Sequence, residues 1–395
     1  MHPAPDPSPT SLRIALIGTR GIPAAYGGFE TAVEEVGRRL VERGHRVLVY
    51  GRDAGTVGDT HLGMRRVTLP AVRQKALETL SHTALSTVHA VTKARPDVAL
   101  VFNAANSPFL PLLRARSVPV ALHMDGLEWR RSKWGPRGQA YYRAAETFGV
   151  RQADAIIADA PGIADYYRHQ FGVESELIRY GAPLLDEAPV DGIRDLGLEP
   201  GGYHLVVARF EPENHVREIV EGYATSQAAK PLVVVGSAPY AAEYTAAIDR
   251  IAAADPRIRL LGAVYDQELL DALYHHASTY LHGHSVGGTN PSLLRAMGAG
   301  TAVIAFDVTF NREVLDEQGW YFRTPADVAT AVDAAEADAA AVAAASDRAH
   351  RRASAAFSWD DVASAYEDLA VRLARRESIH AHARRARRAA EDWPG

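Results

Sequence analysis

The sequence predicts an α/β protein made of two consecutive Rossmann-like units. Three observations carry this. Short, almost wholly apolar strands alternate with amphipathic helices, the alternation runs twice, and one stretch rich in Pro, Gly and Asp separates the two runs. Strands that are apolar at successive positions are buried on both faces, as in a parallel sheet covered by helices.

The first run opens with LRIALIG (residues 12–18), a strand ending in a glycine loop. FETAVEEVGRRLVERG follows, with Phe29, Val33, Val36 and Leu40 at helical spacing and Gly44 where a C-cap is expected. RVLVYG (46–51) is the second strand. A long amphipathic helix covers about 75–93, with Leu77, Leu80, Leu85, Val88 and Val91 on one face. Buried strands follow at DVALVF (97–102), VPVALH (118–123), DAIIAD (154–159) and SELIRYG (175–181).

LLDEAPVDGIRDLGLEPGG (184–202) interrupts the pattern and marks the boundary. The second run has strands at YHLVVAR (203–209), PLVVVG (231–236), RIRLLG (257–262), STYLHG (278–283) and TAVIAF (301–306). Residues 326–345 are alanine-rich and read as a surface helix. A last amphipathic helix places Trp359, Val362, Tyr366, Leu369 and Leu373 in register, with Ser358 as a suitable N-cap. The expected organisation is a disordered tail (1–11), a first domain (12–184) completed by the final helix (359–376), a linker (185–202), a second domain (203–358) and a basic tail (377–395).

Composition narrows the function. The 395 residues are 47% hydrophobic and 23% charged, ordinary for a globular chain of two or three domains. A net charge of -5 argues against nucleic acid as the partner. The chain has no cysteine, which excludes disulfides, thiolate metal sites and a cysteine nucleophile. No secretory signal or run of about 20 apolar residues is present, so the expected location is cytoplasmic, with any membrane contact peripheral. The arginines at 384, 385, 387 and 388 are either a solvated tail or a contact for anionic lipid.

Two glycine-rich turns stand out. In GTRGIPAAYGGFE (18–30), Gly27 and Gly28 precede a helix, where free N–H groups favour an anion; tight strand–helix packing is the plainer alternative. The loop does not match the dinucleotide pattern G-x-G-x-x-G, which disfavours an oxidoreductase. In VGGTNPS (286–292), Thr289, Asn290 and Ser292 are capping residues and Pro291 suits a first helical turn. His282 and His284 share one face of a strand end, but no third metal ligand accompanies them, so no metal site is expected.

From the first loop onward the chain resembles glycosyltransferase family 4, and within it a bacterial branch similar to rhamnosyltransferases of surface-polysaccharide assembly. The likeness rests on IGTRGIPAAYGGFET, HMDGLEWRRSKWG (123–135), ARFEPEN (208–214), HGHSVGGTNPSLLRAMGAG (282–300) and FDVTFNREV (306–314), in that order. It implies a GT-B architecture, with two Rossmann-like domains facing a cleft and the last helix crossing back to the first domain. It also implies retaining, metal-independent transfer of a sugar, rhamnose being one candidate, from a nucleotide-diphosphate donor to a saccharide or lipid-linked saccharide. No cofactor beyond the donor is implied.

The resemblance assigns donor binding to Arg209, Asn214, Gly236, His284, Gly287, Gly288, Thr289, Asn290, Ser292 and Arg295. It places His123 and Asp125 as catalytic residues at the reacting sugar or acceptor hydroxyl, and Gly27, Gly28, Glu128 and Trp129 on the acceptor side or in a phosphate loop. Trp129 and Trp134 either form a stacking surface or pack. The chain departs from the family at three positions: Asn214 replaces a lysine, and Gly287 and Arg295 replace two glutamates. Two readings of Arg295 are open. It restores the charge lost at Asn214, a charge-assisted hydrogen bond contributing roughly 1.5–3 kcal/mol, or it faces solvent or pairs with Asp307 or Glu313. The departures also leave open a catalytically inactive nucleotide-sugar-binding protein.

Overall fold

The computed structural model describes residues 11–377 except 25–27, 53–57, 73, 75, 76, 125, 132, 133, 239, 240, 317 and 318. Both expected tails therefore lie almost wholly outside the described residues. The chain forms two compact units, one of residues 1–129, 136–178 and 360–395, the other of 130–135 and 179–359.

The first unit contains β1 (Arg13–Ile17), α1 (Gly28–Glu42), β2 (Arg46–Gly51), β3 (Thr60–His61), β4 (Met64–Thr68) and α2 (Glu78–His89), which runs into a π-helical turn (Ala90–Ala94). It continues through β5 (Val98–Phe102), a 3-10 turn (Ala104–Phe109), α3 (Leu110–Ala115), β6 (Val120–Met124), α4 (Pro136–Gln152), β7 (Ala155–Ala158), α5 (Pro161–Phe171) and β8 (Glu176–Leu177). The sheet order is β3-β4-β2-β1-β5-β6-β7-β8, parallel except for β3 against β4. The chain winds outward in both directions from the β1/β5 pair.

The second unit contains α6 (Asp191–Asp195), β9 (His204–Val207), a 3-10 turn (Pro212–Asn214), α7 (Val216–Thr225), β10 (Leu232–Val235), α8 (Ala242–Ala254), β11 (Ile258–Gly262) and α9 (Gln267–His275). β12 (Thr279–His282), α10 (Pro291–Gly298), β13 (Ala302–Phe306), α11 (Thr309–Leu315), β14 (Trp320–Phe322), α12 (Pro325–Ala337) and α13 (Ala339–Ala356) complete it. Its parallel sheet runs β11-β10-β9-β12-β13-β14, so the winding direction reverses between β9 and β12. In such sheets ligands bind outside the carboxyl ends of the strands at this reversal.

The last helix, α14 (Trp359–Ala374), belongs to the first unit from Asp360 onward. Its Val362, Tyr366, Leu369 and Leu373 are buried. Polar contacts fix its position: Arg43 Nη1 donates to Glu367 at 2.7 Å, His45 Nε2 lies 2.9 Å from the same carboxylate, and Arg372 Nη1 donates to Glu176 at 2.9 Å.

Four local readings change. The stretch read as a linker is part of the second unit, with Ile193 and Leu198 buried. The alanine-rich stretch is not one surface helix: it breaks at Asp338, which caps α13, and buries Val328, Ala331, Val332 and Ala335. The strand expected over 175–181 is reduced to Glu176–Leu177. α2 is turned over: His82, Thr83, Ser86 and Thr87 face inward while Leu77, Leu85 and Val88 are exposed. The inward polar side works because His82 Nε2 reaches the Gly51 carbonyl at 2.9 Å and Ser86 Oγ donates to His82 O at 2.8 Å.

Candidate functional site

In the second unit the reversal point is lined by the loops after β9 and β12. Backbones crowd together there. Gly236, at the end of β10, has φ +148° and leaves no room for a side chain, since a Cβ would stand 1.8 Å from Ala208 O. A Cβ on Gly283 would stand 2.0 Å from Asn214 O, which ties the 3-10 turn after β9 to the end of β12. Ser285 strengthens that tie, its N–H and Oγ donating to Glu213 O at 2.9 and 3.0 Å.

Asn290 caps α10: its Oδ1 accepts from Ser292 N at 3.0 Å and from Ser292 Oγ at 2.7 Å. The Tyr280 hydroxyl holds the cap from below, 3.0 Å from Ser292 Oγ and 3.3 Å from both Val207 O and His282 Nδ1. Gly288 and Thr289 are buried, whereas Gly287 (φ +132°) has open space where a side chain would lie. The turn therefore presents backbone, and not side chains, at its tip.

His282 and His284 stack with ring centroids 4.6 Å apart and planes 14° from parallel. Burial pushes the His282 imidazole down to about 3, and burial together with neighbouring His282 and Arg209 holds His284 well below the ordinary range. Both rings are therefore neutral near pH 7. His282 Nε2 and His284 Nδ1 are enclosed with no hydrogen-bond partner among the described residues. Enclosed polar atoms normally have a partner, so this pair is suited to a ligand.

The Arg209 guanidinium is about one-third exposed and lies 3.4 Å from buried Glu211. Asn214 differs from its expected role. It is buried, and its amide Nδ2 donates to Arg209 O at 2.9 Å, so it closes the turn that carries Arg209. Arg295 pairs with neither Asp307 nor Glu313. Its Nη1 lies 3.1 Å from Asp271 on α9, an ion pair that neutralises it. Asp307 is instead held by Arg312 and Arg323.

Sequence reading missed His215. It adopts a left-handed backbone (φ 47°), its Nδ1 sits 2.8 Å from Gly283 O, and its ring stacks on Phe306 at 3.9 Å. Nothing in the ARFEPENH run singles out this residue; only the turn aims it.

In the first unit, His123 near the end of β6 is buried between Phe29 and Phe102, at ring-centroid distances of 5.1 and 5.5 Å. Burial pushes its imidazole down to about 3. Asp125 and Gly27 lie outside the described residues. Gly28 opens α1, and two N–H groups earlier in the glycine loop are engaged by α1 carboxylates: Arg20 N–H donates to Glu30 at 2.9 Å and Ala24 N–H to Glu34 at 2.8 Å. Glu128 is buried, and Trp129 carries the Arg143 guanidinium 4.2 Å over its ring, so one of its faces is occupied. Among the described residues no three His, Asp or Glu side chains gather as a metal set.

Family comparison divides the chain as the folding does. Residues 27–183 match the glycosyl transferase 4-like domain and residues 202–338 match glycosyl transferases group 1. Comparison with curated proteins yields no match. Among solved structures, sucrose-phosphate synthase from Thermosynechococcus elongatus superposes with TM-score 0.79 at 22% identity, over 92% of this chain and 99% of that one. Anabaena HepE in complex with UDP and glucose gives 0.73 at 15%, over 91% and 99%. The α,α-trehalose-phosphate synthase (UDP-forming) from Burkholderia vietnamiensis gives 0.67 at 14%, over 93% and 100%. With a glycosyl transferase 4-like domain followed by a group 1 domain, each on its own mainly parallel sheet, the chain belongs to the glycosyltransferases of GT-B fold.

Proposed function

We propose that the protein is a retaining hexosyltransferase that binds a nucleoside-diphosphate sugar at the β9/β12 reversal of its second unit. One observation carries the reading: Arg209, the close-packed Gly236 and Gly283, the unpartnered His282 and His284 nitrogens and the capped start of α10 converge there. The positive end of the α10 dipole suits a diphosphate, and Arg209 adds a fixed positive charge. The UDP and glucose bound by HepE, which has the same fold, support a donor of this class. The acceptor is a saccharide or lipid-linked saccharide of surface-polysaccharide assembly, and rhamnose is the first sugar to test.

The departing diphosphate takes the acceptor proton, and the protein positions the partners and stabilises the leaving charge. A neutral, enclosed His123 fits this scheme as a group that orients a hydroxyl. Arg295 is not needed for phosphate charge, because Asp271 already balances it.

Thermal shift with UDP-glucose, GDP-mannose and dTDP-rhamnose tests binding, since a ligand for the folded state alone raises apparent stability. Proton NMR of the product made with the stabilising donor reads the anomeric configuration. No stabilisation by any sugar nucleotide overturns the reading, and an inverted product overturns retention. The engagement of Asn214 and Arg295 favours a second reading, a donor-binding protein without turnover. Stabilisation with no transfer to any saccharide acceptor would select it.

A further inference from the structure

Ala345, Arg348, Ala349 and Arg352 fall at i, i+3, i+4 and i+7 of α13, so they share one side of that helix. This side lies over β13 and the end of α11. The two alanines are too short to fill the space toward Val303 and Leu315, and a cavity of about 320 Å³ is left there. Small-molecule sites occupy roughly 300–1,000 Å³. Val303, Leu315, Ala345 and Ala349 are buried and form its apolar inner part, while Arg348, Arg351 and Arg352 stand toward solvent.

The three arginines differ in what holds them. Arg352 closes the end of α11: its Nε donates to Val314 O at 2.6 Å, its Nη2 to Glu313 O at 2.9 Å and its Nη1 to Asp316 at 3.2 Å. Arg351 pairs with Asp347 one turn earlier. No hydrogen bond or ion pair engages Arg348 among the described residues, although its Nε is enclosed. An enclosed charged donor without an acceptor is unfavourable, and an anion seated in the cavity supplies the missing acceptor.

The cavity is separate from the donor end of the unit. α13 meets the last residue of α10, where His350 Nδ1 lies 3.0 Å from Gly298 O. The Asn290 cap stands at the other end of α10, about 12 Å away at 1.5 Å per residue. Val303 is the second residue of β13, so the cavity sits toward the amino ends of the strands.

We propose that this cavity is a second binding site, for a small organic anion. The anion is a phosphate monoester or a carboxylate whose charged group meets Arg348 and whose apolar body lies against Val303 and Leu315. The site does not rest on the sugar-transfer reading.

Calorimetric titration of the full-length chain with phenyl phosphate, benzoate and phenol tests this. Saturable binding of phenyl phosphate or benzoate is expected, the tighter of the two naming the head group, with phenol about tenfold weaker or more. Arg348→Ala should weaken the anion about ten- to a hundredfold. Its thermal unfolding should match the wild type, because the side chain holds no partner. Ala349→Leu leaves every charge in place but narrows the cavity, and should weaken the anion as well. Arg209→Ala should leave the affinity unchanged. If the leucine variant fails to fold, Arg348→Ala alone decides. The proposal is overturned if neither anion binds the wild type, if phenol binds as tightly, or if Arg348→Ala or a folded Ala349→Leu retains full affinity. Binding lost in Arg209→Ala also overturns it and moves the anion to the donor end.

Discussion

Acid stability is where the buried histidines should show most directly. His123 in the first unit and His282 in the second are each enclosed, and burial alone pushes each imidazole from 6.5 down to about 3. In the unfolded chain both titrate near the ordinary value. Between the two values the unfolded chain binds more protons than the folded one. Stability is therefore complete above about pH 6.5 and is lost as pH falls toward about 3. The slope is ~1.4 kcal/mol per pH unit for each histidine. Moving from pH ~6.5 to pH ~5 thus removes about 2 kcal/mol from each unit, a large part of the roughly 5–15 kcal/mol a domain has. Replacing His282 by Gln removes the titrating group. The variant loses some packing at neutral pH, but its stability deficit should shrink by ~2 kcal/mol between pH ~7 and pH ~5. Urea unfolding at the two pH values measures the deficit, and imidazole NMR shifts read the titration itself. If variant and wild type lose stability in parallel, or if the His282 ring titrates near 6.5, the burial argument is refuted.

Arg209→Ala should weaken donor binding by ~1.5–3 kcal/mol, about ten- to a hundredfold, and should also lower the melting temperature, because buried Glu211 loses the cation beside it. Calorimetric titration with the stabilising nucleotide sugar checks this. Arg295→Ala should leave donor affinity within about twofold and destabilise the fold by ~1–2 kcal/mol as Asp271 loses its partner. Asn290→Ala removes the α10 cap and should destabilise by ~1 kcal/mol in urea unfolding. Gly283→Ala forces a Cβ against Asn214 O and should destabilise by ~1–3 kcal/mol, with lower donor affinity because the Arg209 turn shifts.

What the sequence showed and what it concealed divide along a physical line. Central strands such as VALVF and LVVV are legible because burial on both faces demands apolar residues at every position. The α10 cap is legible because Asn290, Pro291 and Ser292 act within a few bonds of one another. MRRVT, the β4 strand, is not legible: it lies near the sheet edge, and its charged residues give no apolar run. The orientation of α2 is not legible either. Periodicity reports that a helix has an apolar stripe, but only the tertiary fold decides which side faces the sheet. Here His82, Thr83, Ser86 and Thr87 are tolerated inside, with His82 anchored to the end of β2.

The same distinction governs the site. The family resemblance sets Asn214 and Arg295 at positions where it implies charged donor-site residues, but it does not give their directions. The 3-10 turn after β9 folds the Asn214 amide back onto Arg209 O, so this residue acts through the backbone that carries the arginine. Arg295 sits well inside α10, one side of which faces α9, and Asp271 is there to receive it. A pair of this kind is disrupted more by removing one partner than by replacing both with a matched apolar pair. Arg295→Leu combined with Asp271→Leu should therefore recover stability that Arg295→Ala loses. Donor affinity in the double variant then separates the structural role of the pair from a direct one: affinity equal to wild type leaves Arg209 and the start of α10 as the phosphate site, and a loss of tenfold or more, roughly 1.4 kcal/mol, would return Arg295 to it.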